Sequence, residues 1–186
     1  MKNKTKIKSK QYSYILLIFL LISVFFAIFV FYQKPLNQNQ QEHLYFAYGS
    51  NMNVAQMKER CPNNIEAVGP AKLENYEFGF DSRGYANIRS KQGEYVWGFV
   101  WEIGESCISS LDRYEGYPNI YDRKEVVVKS SQELNAFVYI QPESEFGGMP
   151  QQEYLDSKII PGAIENGLPD QWVNKLENIS ASTKLK

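Results

Sequence analysis

Histidine and cysteine are almost missing from these 186 residues: there is one His, His43, and there are two Cys, Cys61 and Cys107. That scarcity excludes the zinc sites and iron–sulfur clusters that draw most of their ligands from these two residue types. A Ser–His–Asp triad would have His43 alone to work with. No internal repeat is present, and the length suits one domain with a modest core. A broadly basic body is missing too. Six of the 20 Lys and Arg fall at positions 2, 4, 6, 8, 10 and 34, and residues 1–34 hold no acid, which leaves 14 basic groups against all 21 acidic ones, a balance of −7. An acidic body lacks the electrostatic footprint for nucleic acid, so no such partner is expected.

What is present first is an apolar run. Residues 12–32, YSYILLIFLLISVFFAIFVFY, are 21 positions without charge, Pro or Gly. As a helix they would span about 31 Å, the thickness of a bilayer's hydrocarbon core. Tyr12, Tyr14 and Tyr32 sit near the ends, where amphipathic rings favour the interface. Five Lys precede the run and Lys34 follows it, so the positive-inside rule puts the N-terminus in the cytoplasm. A cleaved signal peptide would carry a shorter apolar region, about 7–15 residues, closed by a small-x-small site. The chain therefore reads as a basic cytoplasmic tail (1–11), a transmembrane signal anchor (12–32), a polar linker (33–42), an extracytoplasmic domain (43–180) and a frayed tail (181–186). His43, at the linker's end, is expected to be solvated.

Within the domain, residues 44–48 form a short β-rich run stopped by Gly49-Ser50-Asn51. Asn51 or Asn53 can cap a helix through about Arg60, which Pro62 ends. Strand-like pieces occupy 65–80 around Gly69-Pro70, and 94–103, EYVWGFVWEI, is the clearest strand. Ser106 is placed to cap a helix to about Tyr114, with Gly116 as its C′ residue. Residues 121–129 and 134–140 pattern as a strand pair, and 154–164 and 169–179 as short helices around Asn166-Gly167. The fold class is α+β, a small mixed β-barrel-like sheet with flanking helices.

Three stretches carry candidate chemistry. The turn Tyr48-Gly49-Ser50-Asn51-Met52 joins a strand to a helix, an arrangement that aims backbone N–H groups at an anion. The same spacing also serves an ordinary strand-to-helix turn. In Ser110-Leu111-Asp112-Arg113-Tyr114-Glu115-Gly116, Glu115 falls at a helix C-terminus, where the macrodipole and burial would raise its pKa toward neutrality. Its plain alternative is a solvated residue before a helix-ending Gly. Residues 162–169, GAIENGLP, read as punctuation between two helices. Cys61 and Cys107 are equally consistent with a disulfide and with free thiols. Asn178-Ile179-Ser180 is a formal glycosylation sequon.

Taken in order, YFAYGSNM, EYVWGFVWEI, SLDRYEG, a Tyr-rich strand and GAIENGLP resemble the γ-glutamylcyclotransferase family, over about residues 44–177. The resemblance implies a barrel-like fold with a cavity closed at one end. It also implies conversion of γ-glutamyl amino acids, as small-molecule substrates, into 5-oxoproline and a free amino acid, with no metal and no cofactor. It places Tyr45, Tyr48, Gly49, Ser50 and Asn51 in a substrate-cradling loop and makes Glu115 the proton acceptor. Tyr154 resembles a substrate-contacting tyrosine and Tyr121 a cavity-lining one. The interval from Tyr154 to Gly162 is one residue longer than the family pattern, and the N-terminal anchor departs from relatives that are soluble and intracellular.

That chemistry asks little of a protein. The substrate's own α-amine attacks its γ-carbonyl, so folding one molecule into the reactive conformer supplies much of the rate. A base must take the ammonium's proton and return it to the leaving amine, which suits a carboxyl of raised pKa such as Glu115. Backbone amides of the Tyr48–Asn51 turn, with the Ser50 hydroxyl as an addition, are candidate donors to the oxyanion and the α-carboxylate, and the Asn51 side chain is a further donor at the turn. γ-Glutamyl amino acids, γ-glutamylamines and wall fragments with a free α-amine all remain open as substrates. The rival reading is a non-catalytic, membrane-anchored binding module holding an amine-bearing ligand in the same cavity; a third is an interaction scaffold.

Overall fold

The computed structural model describes residues 42–63 and 65–185, so the expected basic tail, transmembrane anchor and all but the last residue of the linker lie outside the described residues. Among those described, no helix is long and apolar enough to cross a membrane.

Strand β1 (Glu42–Ala47) leads through a 3₁₀ turn (Ser50–Met52) into helix α1 (Val54–Arg60). Two long strands, β2 (Ile65–Phe80) and β3 (Ala86–Gly104), precede helix α2 (Glu105–Glu115), and β4 (Asp122–Lys129) and β5 (Glu133–Ile140) form a hairpin. Helix α3 covers residues 152–165, with a π-helical stretch Leu155–Ile159 between α-helical pieces Gln152–Tyr154 and Ile160–Glu165. Helix α4 (Asp170–Lys184) ends the described chain. The strands close into a barrel in the order β1-β3-β2-β4-β5. Neighbours run antiparallel except β1 and β5, which seal it in parallel at Tyr45 and Phe137. The expected α+β barrel with flanking helices is thus present.

Five local expectations are corrected. The strand at 94–103 starts earlier, at Ala86, because the β2 ladder continues from Tyr76 against Ser90 to Phe80 against Ala86. Residues 86–93 are too polar to read as strand alone, and the ladder overrides their propensity. The expected strand-like pieces of 65–80 are one strand with register shifts beside Gly69 and at Asn75, whose positive φ of 60° marks a bulge. Helix α2 is capped by Gly104, in extended conformation, not by Ser106; Glu105 then occupies the first turn, where the helix dipole favours an acid. His43 belongs to β1 and is half-buried, its Nε2 2.7 Å from Glu105 Oε1, so it is no solvated linker residue. The tail expected after 180 is helix through Lys184, whose Nζ lies 2.9 Å from Asp156 on α3.

Packing fixes the helices. Asn53, whose side chain accepts from Gln56 N–H at 2.9 Å, caps α1 as expected. Gly116 ends α2 in the left-handed region, φ 68°, which the missing Cβ allows. Trp172 of α4 is buried edge-on against Phe78, ring centres 5.8 Å apart, which seats that helix on the barrel. A disulfide joins Cys61, just after α1, to Cys107 in the first turn of α2, with Cα atoms 5.0 Å apart.

Candidate active site

The Gly49–Met52 turn and the end of α2 meet at one point. Glycine at 49 lets the turn lie against β3 and α3, for a Cβ there would sit 3.1 Å from Ala86 Cβ and 3.2 Å from the Tyr154 hydroxyl. The stretch read as punctuation supports the turn from behind. Gly162 packs so closely that a Cβ would fall 2.7 Å from Asn53 N, and Asn166 Nδ2 donates to Met52 O at 2.5 Å.

Glu115 is the last residue of α2, and its side chain is only 16% exposed. Its Oε1 accepts from Asn51 Nδ2 at 3.0 Å and from an Arg60 guanidinium N–H at 3.3 Å. Burial pushes its pKa above the ordinary carboxylate value, while the Arg60 charge and the Asn51 bond pull the other way. Both donors fall on Oε1, which leaves Oε2 as the oxygen better placed to receive a substrate proton.

Asn51 organises this point. Its amide nitrogen donates to Tyr45 Oη (2.8 Å) and Glu115, while its oxygen accepts from Arg60 (2.6 Å) and Gln56 Nε2 (3.3 Å). Trp101 Nε1 donates to its backbone carbonyl at 3.0 Å. Asn51 was expected to offer a donor to the substrate; with both amide hydrogens engaged it aims Glu115 instead. Ser50 Oγ accepts from Gln56 at 2.7 Å, which leaves its own hydroxyl hydrogen to donate.

The tyrosines divide by what their hydroxyls do. Tyr48 donates to Tyr139 O at 2.8 Å and Tyr121 to Ala86 O at 3.0 Å, so these two contribute walls, not donors. The Tyr45 and Tyr154 oxygens accept, from Asn51 and from Ser50 N–H at 3.3 Å, and keep a proton to give. Burial raises both pKa values, so both stay protonated. Between Tyr154 and Gly162 the helix carries a π-helical stretch, Leu155–Ile159, the kind of local widening that a one-residue insertion in a helix produces.

All eight residues singled out from the sequence converge here. Tyr45, Tyr48, Gly49, Ser50, Asn51, Glu115, Tyr121 and Tyr154 line one narrow niche with Ala86 and Tyr139. Ser50, Glu115, Tyr121 and Tyr154 also line an adjoining cleft of about 530 Å³ that opens outward. Sequence reasoning missed Gln56 and Arg60, although their i, i+4 spacing behind the turn puts both on one face of α1. It also missed Arg83, carried into the cleft by a loop wound on Asp81, whose carboxylate accepts from Arg83 N, Tyr85 N and Gln141 Nε2. Burial opposes that charge, yet bonds from Gln141, Tyr85 and Arg83 hold the Asp81 pKa below its ordinary value. Among the described residues no group of three or more His, Cys, Asp or Glu is arranged to hold a metal.

The family described as Gamma-glutamyl cyclotransferase, AIG2-like matches residues 45–159, which include the turn, Glu115 and Tyr154. The chain belongs to this family. Among γ-glutamylcyclotransferase relatives, the mouse protein is 32% identical over 155 residues, covering 76% of this chain and 81% of its own. The bovine protein is 30% identical over 154 residues, covering 77% and 81%. A solved γ-glutamyl cyclotransferase structure superposes with a TM-score of 0.67 at 28% identity, over 78% of this chain and all of the other. Membership makes this chain an enzyme of the γ-glutamyl cyclotransferase class and accounts for the closed barrel.

Proposed function

We propose that this chain releases 5-oxoproline and a free amino acid or amine from γ-glutamyl substrates, with Glu115 as the proton carrier, on a domain anchored outside the cytoplasm by residues 12–32. The observation that carries it is Glu115 itself: a carboxylate of raised pKa at the seam of niche and cleft, held through one oxygen by Asn51 and Arg60.

The α-ammonium of the substrate gives a proton to Glu115 Oε2, and the freed amine attacks the γ-carbonyl carbon. A C–N bond forms, and charge develops on the carbonyl oxygen. The Ser50 N–H, now spent on a long 3.3 Å contact to Tyr154, and the Tyr154 and Ser50 hydroxyls stand ready as donors to that oxygen. Protonated Glu115 then delivers its proton to the departing nitrogen as the original amide C–N bond breaks. The ring nitrogen, still carrying two hydrogens, gives the second through Glu115 to the released amine, which leaves as ammonium; the lactam is then neutral and Glu115 returns ionised.

The Cys61–Cys107 disulfide supports placement outside the cytoplasm, since such bonds persist in oxidising compartments. The test is 5-oxoproline release by the full-length protein from γ-glutamyl dipeptides and γ-glutamylamines, beside Glu115→Gln. The variant is expected to lose at least about 10³-fold in kcat, with substrate affinity and Tm retained. Ligand binding without 5-oxoproline release from any compound would favour the binding module.

A further inference from the structure

The cleft beyond the seam is larger than the reaction requires, and its lining is unusual. With the glutamyl head at Glu115, the leaving group points into about 530 Å³, space of drug-like size that a glycine would leave mostly empty. Three large apolar or aromatic side chains on its wall are turned to water: Tyr85 (40% exposed), Tyr114 (57%) and Ile120 (44%). Exposed apolar groups gathered around one concavity mark a surface that a ligand covers. Two of them are held in place. The Tyr114 ring carries the Arg60 guanidinium 4.7 Å from its centre, and Tyr85 stands edge-on to Tyr154 at 5.3 Å.

The charges on the same wall are distinguishable by their partners. Arg60 is engaged by Glu115 and Asn51, and Arg83 by Asp81 at 2.7 Å. Glu153 is exposed and therefore hydrated. Lys158, from the π-helical stretch, is half-buried and has no ion-pair partner among the described residues. A partly desolvated ammonium without a counter-ion gains most from a ligand carboxylate.

We infer that this cleft is a leaving-group subsite for an amino acid with a large apolar side chain, packed on Tyr85, Tyr114 and Ile120, whose free carboxylate pairs with Lys158. The inference rests on the cyclotransferase reading and narrows it: γ-glutamyl amino acids with bulky apolar side chains are preferred over γ-glutamylglycine and over neutral γ-glutamylamines.

The test separates the subsite from the reaction. Affinities of full-length Glu115→Gln for γ-glutamylphenylalanine, γ-glutamylglycine and γ-glutamylphenethylamine are measured by calorimetry, and 5-oxoproline release by the unaltered protein is measured in parallel. γ-Glutamylphenylalanine is expected to bind about tenfold more tightly than either of the others. Ile120→Ala should shrink its advantage over γ-glutamylglycine, and Lys158→Ala should erase its advantage over the phenethylamine compound. Equal affinities for all three ligands, or preferences unmoved by the two variants, overturn the subsite. Absence of 5-oxoproline alongside the expected affinity order overturns the reaction and leaves the subsite standing.

Discussion

At the scale of single residues, the site is an exercise in directing one amide. Arg60 and Gln56 both donate to the Asn51 oxygen, so its nitrogen is forced toward Tyr45 and Glu115. Arg60 therefore acts on the base twice, through Asn51 and by its own charge. In the proposed reaction Glu115 must be ionised to accept the ammonium's proton, so activity should fall as pH drops through its pKa. Burial sets that pKa above the ordinary value and Arg60 draws it down. Removing the guanidinium lets it climb further, so Arg60→Gln should move the acid limb of kcat/KM to higher pH, and Arg60→Lys should restore part of the shift. A lower rate with an unmoved acid limb would show that Arg60 only supports the fold.

At the scale of elements, the informative piece is α3. Its π-helical stretch lies between Tyr154, which meets Ser50, and Gly162, which packs on Asn53. Both anchors sit where the turn needs them, so the widened turn leaves the helix in register at each end. Deletion of Ser157, which lines the cleft within that stretch, is expected to restore an ordinary α-helix with Tm near that of the parent and a lower kcat/KM, because the wall that carries Lys158 is re-aimed. An unchanged kcat/KM would mean that the π-helical stretch does not shape the cleft. The sequence made this interval visible because it can be counted. It made Glu115 and the Gly49–Asn51 turn visible because Gly116 and the turn formers leave clear local signals. Arg60 stayed hidden because its role depends on Glu115, 55 residues away, and Gln56 because its bonds to Ser50 and Asn51 need the turn already folded. The start of β3 was hidden for a related reason: its pairing with β2, not its own composition, makes it strand.

At the scale of the whole molecule, two features of different origin point the same way. Under the proposed anchoring, the positive-inside rule would orient residues 12–32 with the domain outside the cytoplasm, and a disulfide persists best in the oxidising environment found there. Closing a loop across 46 positions of sequence contributes about 2–4 kcal/mol, so reduction or Cys61→Ala with Cys107→Ala should lower Tm measurably. The stronger test follows the bond in the cell. The protein should resist alkaline extraction from membranes, and protease added to spheroplasts should remove the acidic body while sparing cytoplasmic markers. A maleimide polymer should label Cys61 and Cys107 only after reduction. Protection from the protease together with labelling before reduction would place the domain inside and leave the disulfide unformed, and with it the extracytoplasmic substrate would fall. Digestion from outside with labelling confined to the reduced protein would instead fix the supply of substrate on that side of the membrane.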